Sequence, residues 1–297
     1  MTVRGTAGDG GLGNDPTIPL PVVIAGPAAG TATPRRQYIP PAYGPPFYGP
    51  RRHRGRRWLR RIAGTVLVLI LLAILAFGGL LLVTPSVGNA PSLTRAQDIA
   101  HHVAYPGPPV PARFAESLVA TEDHRFYSEP GIDLYAVARV GAAFLQGNGI
   151  QGGATIYQQL AKMLYTGGHS DSAKIEAEQV ALAVKLYWTY SRPQILRMYT
   201  DVAYFGNNDY GLVNAACGYF GVRPAEMSWP QAAMLAGMVQ GPSVDDPLTH
   251  PANARAREEH VIGRLVATGK LTQAQADAAL AVPLSRLVAR AGRGCSG

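Results

Sequence analysis

The feature that most constrains this chain is a run of 22 residues, Ile62 to Val83, without one charged side chain. At about 1.5 Å of rise per residue a helix of that length spans roughly 33 Å, enough for the hydrocarbon core of a bilayer. The run follows the cluster Arg51-Arg-His-Arg-Gly-Arg-Arg-Trp-Leu-Arg-Arg61 and precedes the uncharged stretch Thr84-Pro-Ser-Val-Gly-Asn-Ala-Pro91. That asymmetry predicts a single-pass anchor in the cytoplasmic membrane, with residues 1–61 inside the cell and residues 84–297 outside it. Trp58 falls where an interfacial aromatic belongs. A cleaved signal peptide fits poorly, because the run starts far into the chain and no small-residue cleavage site stands out.

Charge supports this partition. The formal net charge is +8, and residues 1–61 hold ten Arg against two acidic residues. The excess therefore sits in the arm that abuts the apolar run, where it flanks a membrane and is not read as a nucleic-acid surface. Residues 1–50 are rich in Pro and Gly and lack apolar periodicity, which predicts a disordered arm continuing to 61. The remaining organisation reads as a transmembrane helix over 62–83, a linker over 84–94, one folded domain over 95–282 and a flexible tail over 283–297. Two cysteines, Cys217 and Cys295, give no disulfide framework. Cys217 reads as a small buried filler, and a bridge between the two stays open.

Beyond residue 91 the pattern is helical, and the fold class expected is mainly α. Phe114, Leu118 and Val119 recur at helical spacing just before Glu122. Ser228-Trp-Pro-Gln231 and Thr272-Gln-Ala-Gln275 are capping boxes opening apolar runs. Met227, Met234 and Met238 read as core. No strand-like alternation of useful length appears, and the seven His show no metal-ligand spacing.

Four blocks in order carry the chemistry. They are Glu122-Asp-His-Arg-Phe126-Tyr-Ser-Glu-Pro-Gly131, then Gly152-Gly-Ala-Thr155-Ile-Tyr-Gln158-Gln159-Leu-Ala-Lys162. The third is Tyr190-Ser-Arg192-Pro-Gln-Ile195-Leu196-Arg-Met-Tyr199, running on to Tyr204-Phe205-Gly206. The last is Arg257, with Val261-Ile262 four residues on. Over residues 95–282 this resembles the peptidoglycan glycosyltransferase domain of class A penicillin-binding proteins and their monofunctional relatives. The resemblance implies a lysozyme-like helical fold that polymerises lipid II into glycan strands and releases undecaprenyl pyrophosphate.

The resemblance also assigns roles. Glu122 is the general base for the attacking sugar hydroxyl, and an apolar helical setting would raise its pKa. Lys162 and Arg257 bind the donor pyrophosphate, one as a point charge and one as a planar fork. Asp123, Phe126, Gly153, Thr155, Gln158, Gln159 and Arg192 complete the substrate-binding set. A second functional carboxylate of the family falls, without gaps, on Gln179; a shift of one residue brings Glu178 there and Lys174 to the accompanying Arg position. Glu178 is slightly favoured, and helical phase does not arbitrate. Other departures are Glu129 for a His, Ala154 for a Ser, Met163 for an Asn and Arg192 for a Lys. Relatives use a divalent cation, Mg or Mn, with the pyrophosphate; no residue here specifies one.

Read alone, each residue has a plainer account. Glu122-Asp123 would be a solvated helix end, Lys162 and Arg257 surface charges, and the Gly pair a loop. The order of the four blocks outweighs those accounts. The expected partners are lipid II, the growing glycan strand and the cytoplasmic membrane. No Ser-x-x-Lys or Lys-Thr-Gly signature appears, so crosslinking is expected from a separate transpeptidase. The departures keep open a non-catalytic lipid II-binding or scaffold protein. A lysozyme-like hydrolase fits less well, since it needs neither the cations nor the anchor.

Overall fold

The structure is a computed structural model, and it describes residues 54–129, 131, 154–169 and 172–288. Residues from Arg56 onward belong to one compact unit. Helix α1, Arg54–Val83, begins in the Arg cluster and runs to the end of the apolar segment. It starts earlier than the predicted 62 because Arg is a good helix former and nothing there breaks the ladder except Gly55. The most apolar 18-residue window of its Trp58–Val83 portion has a mean hydropathy of 3.2 and is unburied, so α1 is long and apolar enough to cross a membrane.

Among the described residues ten further helices follow: α2 Ala90–Ala100, α3 Ala112–Glu122, α4 Ile156–Tyr165, α5 Ala173–Thr189, α6 Arg192–Val202, α7 Leu212–Phe220, α8 Trp229–Met238, α9 Pro251–Ala267, α10 Gln273–Leu280 and α11 Leu284–Leu287. A 3-10 turn, Pro224–Glu226, joins α7 to α8. Among the described residues there is no strand, only an isolated antiparallel bridge between Tyr204 and Tyr210. The mainly α reading holds.

Helix α8 is the packing centre. Ser228 and Gln231 close its first turn as the expected capping box, with the Ser228 amide donating to Gln231 Oε1 at 2.9 Å. From there Pro230 and every residue from Ala232 to Met238 are buried, which requires helices on several sides. Those neighbours are chiefly α3 and α9, with α7 and α10 in lesser contact. Gly237 permits the close approach of α9, because a Cβ there would lie 3.1 Å from Arg257 Cβ. Met227, Met234 and Met238 are core side chains. Cys217, by contrast, is half-buried on α7 and not the buried filler expected.

A second group packs α4 against α5 and α6, with α2 leaning on α6. Both groups share one apolar cluster, from Phe114 and Leu118 on α3 through Leu160 and Leu186 to Leu235 and Ile262. Where they diverge, the end of α3 faces α4 across a cleft.

Candidate active site

The cleft is a cavity of about 580 Å³ whose walls come from five helices. Thr121 and Glu122 end α3, Gln159, Lys162 and Met163 lie along α4, Gln179 is on α5, Tyr199 on α6 and His260 on α9. Glu122 is reached from α3 because Phe114, Leu118 and Val119 pin that helix into the core. Its Oε2 accepts a hydrogen bond from Gln159 Nε2 at 2.9 Å. Gln159 Oε1 in turn accepts from the Tyr199 hydroxyl at 2.8 Å. Tyr199 is fully buried, so the relay is anchored at its far end.

Burial raises the Glu122 pKa, while the Gln159 hydrogen bond and the Arg257 charge pull it back and Asp123 adds a smaller upward push. The Tyr199 phenol is held well above its ordinary value by burial and by the neighbouring Glu122 charge. It therefore stays protonated and donates to Gln159 Oε1, and with that oxygen engaged the amide NH₂ faces Glu122.

The rest of the first two blocks builds the wall. Asp123 is buried and its Oδ2 accepts from the Ile156 amide at 3.0 Å, at the positive end of α4. Thr155 caps the same helix: its Oγ1 accepts from the Gln158 amide, and Gln158 Oε1 accepts from the Thr155 amide at 2.9 Å. Thr155 Oγ1 also donates to the Gly131 carbonyl at 2.9 Å. Gly131 adopts φ +79°, where an added Cβ would lie 2.8 Å from Tyr187 Cβ, so the end of the first block closes only on glycine. Phe126 is fully buried and stacks on Tyr157, with centroids 5.1 Å apart. Arg192 Nε donates to the Phe126 carbonyl at 3.2 Å, and its guanidinium lies over Tyr187. Asp123, Phe126, Thr155 and Arg192 thus hold α3 to α4 and stand behind the cleft, whereas Gln158 serves both cap and cleft wall.

Lys162 opens onto the same cavity as Glu122, and among the described residues no carboxylate lies within ion-pair distance of it. Arg257 is more constrained. Its Nε and Nη2 donate to the Gly237 carbonyl at 3.2 and 3.1 Å, and Nε lies 3.4 Å from Asp245 Oδ2. It acts on Glu122 through its charge. His260, three residues further along α9, lines the cavity, and burial with the charges of Arg257 and Arg264 lowers its pKa. Sequence reading missed His260, although its i+3 spacing from Arg257 places both on one helical face.

On α5 the side chain that reaches the cavity is Gln179, not the favoured Glu178. Gln179 is 6% exposed, and its Nε2 donates to Thr166 Oγ1 at 2.8 Å and to the His169 carbonyl at 2.7 Å. Glu178, rotated about 100° away on the helix, is partly exposed and sits 3.8 Å from Lys174 one turn back. Gly153 lies outside the described residues. Among the described residues no group of three His, Cys, Asp or Glu side chains is arranged to hold a metal ion.

A mainly helical domain, preceded by an apolar helix and cut by a cleft that pairs a half-buried carboxylate with basic side chains, is the class of protein defined so far. The model of the Transglycosylase family matches residues 93–266, and the chain belongs to that family. A Cupriavidus necator protein carrying the name transglycosylase is 31% identical over 231 residues, covering 76% of this chain and 99% of its own length. Penicillin-binding protein 1A of Streptococcus oralis is 34% identical over 179 residues, 59% of this chain but only 28% of that protein. A crystal structure of penicillin-binding protein 1A from Haemophilus influenzae overlaps 63% of this chain and 18% of its own at 18% identity and a TM-score of 0.36; at that score the overlap defines no shared fold.

Proposed function

We infer that the chain is a peptidoglycan glycosyltransferase that polymerises lipid II, working on the outer face of the membrane crossed by α1. One observation carries this reading: the Glu122 carboxylate, oriented by Gln159, opens onto the same cavity as Lys162, which has no carboxylate within ion-pair distance among the described residues. With Oε2 engaged by Gln159, Oε1 is available to an acceptor sugar hydroxyl. As that hydroxyl attacks the anomeric carbon of the donor, its proton passes to Glu122. The bond from the anomeric carbon to the pyrophosphate breaks on the opposite face, so the centre inverts. Lys162 receives the negative charge on the departing pyrophosphate and Arg257 adds its longer-range field. Burial raises the basicity of Glu122, and the Gln159 bond and the Arg257 charge oppose that rise. The described donor set is unsuited to a resident metal, and no step is assigned to one.

Polymerisation of labelled lipid II by the full chain tests this. Glu122→Gln is expected to slow glycan formation by about 10²–10⁴-fold, the usual contribution of a positioned base. Polymer made by Glu122→Gln at the parent rate would remove the role of Glu122. No polymer from the parent chain, beside an active relative, would remove the enzyme. The neutral Gln179 in the cleft favours the second reading, lipid II binding without turnover, and in that event labelled lipid II would still bind.

A further inference from the structure

The segment between α1 and α2 looks in sequence like a loose tether, yet four hydrogen bonds fasten it to the cleft-bearing domain. Helix α1 ends with no basic residue in its last turn, and Pro85 has no amide to donate onward. Thr84 caps the helix locally, its amide donating to the Leu80 carbonyl at 3.0 Å and its hydroxyl to the same carbonyl at 2.9 Å. The carbonyls just beyond the helix are held by Lys185, a hundred residues on and near the end of α5: its Nζ donates to the Thr84 and Pro85 carbonyls at 2.7 and 3.0 Å. An ammonium there also complements the negative end of α1. The Tyr190 hydroxyl donates to the Val87 carbonyl at 2.9 Å, and the Tyr165 hydroxyl to Asn89 Oδ1 at 2.9 Å. Between these points Val87 is 3% exposed and belongs to the core cluster.

Trp188 adds a second observation. It lies one turn beyond Lys185, shares a surface groove with Leu82 and Val87, and is 67% exposed, an unusual state for an indole in water. An exposed Trp and a Lys with carbonyl-bound head, both beside the last apolar turn of a spanning helix, form the composition of a membrane interface.

We propose that residues 84–89 are a rigid strut and that the Lys185–Trp188 face of α5 rests in the outer phospholipid headgroup layer. The occupant is the lipid surface, because the groove is continuous with the end of α1, which the strut holds against it. This rests on the reading of α1 as a membrane span. The strut meets α4 at Tyr165, three residues after Lys162, so it sets the height of the cleft above the bilayer. A lipid-linked donor anchored in that bilayer would then present its pyrophosphate at a fixed level.

The test uses the full chain in phosphatidylcholine–phosphatidylglycerol vesicles with no sugar substrate, so it stands or falls apart from the transferase reading. The fluorescence component lost in Trp188→Phe reports Trp188. That component is expected to lose about half its intensity to lipids brominated just below the headgroup and to resist acrylamide. Quenching by acrylamide alone would overturn the membrane contact. Hydrogen exchange at residues 86–90 is expected to speed up about tenfold in Lys185→Ala and by less in Tyr190→Phe. Unchanged exchange in both would overturn the strut. Tyr190→Phe deletes a single hydroxyl and keeps the test valid should Lys185→Ala fold poorly.

Discussion

Gln159 donates to Glu122 Oε2 at 2.9 Å while Tyr199, fully buried, holds the other end of the same amide. The carboxylate is thereby both desolvated and oriented. Several measurable consequences follow from how that balance is struck.

Removing the amide donor leaves desolvation of Glu122 less opposed, so its pKa rises further. Gln159→Leu is expected to move the acidic limb of the pH–rate profile to higher pH, since a base must be ionised to act. Tyr199→Phe should move it the same way by less, because Gln159 keeps its place but loses its fixed orientation. Profiles of polymerisation rate against pH check both; an acidic limb that stays put in Gln159→Leu would refute the relay.

The two cations should differ in kind. Lys162→Met is expected to reduce kcat/KM by about 10²–10³-fold if a leaving pyrophosphate loses its charge partner. Arg257→Lys keeps a charge but loses the guanidinium contacts to the Gly237 carbonyl and Asp245. It should lower thermal stability by about 1–3 kcal/mol as well as slowing turnover. Steady-state kinetics beside thermal melts separates the two.

Gln179 donates to two oxygen acceptors, one of them the His169 carbonyl. A carboxylate there would face that carbonyl, so Gln179→Glu is expected to destabilise the domain by about 1–3 kcal/mol at neutral pH, recovering as acid protonates the new group. Glu178→Ala removes a helix-surface pair with Lys174 and should change stability by less than about 0.5 kcal/mol. Urea titrations of both variants give the comparison, and the opposite ranking would place the wrong residue in the cleft.

Asp98 is 1% exposed on α2, and burial, with a smaller push from the Asp201 charge, raises its pKa from 3.8 to about 7. A carboxyl whose folded pKa lies above its unfolded one contributes stability at low pH and loses it as pH rises through the folded value. Asp98→Asn should therefore match the parent near pH 4 and exceed it above pH 7, by on the order of 2–4 kcal/mol. Melting temperatures across pH 4–8 check this; an advantage confined to low pH would reverse the sign.

Much of this was legible in the order of residues. An uncharged run of 22 residues with Arg on one side names a helix long and apolar enough to cross a membrane. Caps at Ser228 and Thr272 name helix starts, since the orphan amides there must find local acceptors. The block around Glu122 points to the cleft because its neighbours on α3 are spaced to bury one face. These are local properties, written within a turn or two of chain. What the sequence left open depends on distance across the fold. Adjacent residues 178 and 179 look equivalent on a helix that is apolar nearly all round, and only packing against Thr166 and His169 turns Gln179 inward. The reach of Lys185 across a hundred residues to the end of α1, and of Tyr199 through Gln159 to Glu122, could not be read from spacing. Such pairs exist only once two helix groups have met, because their geometry is set by the joint packing of both.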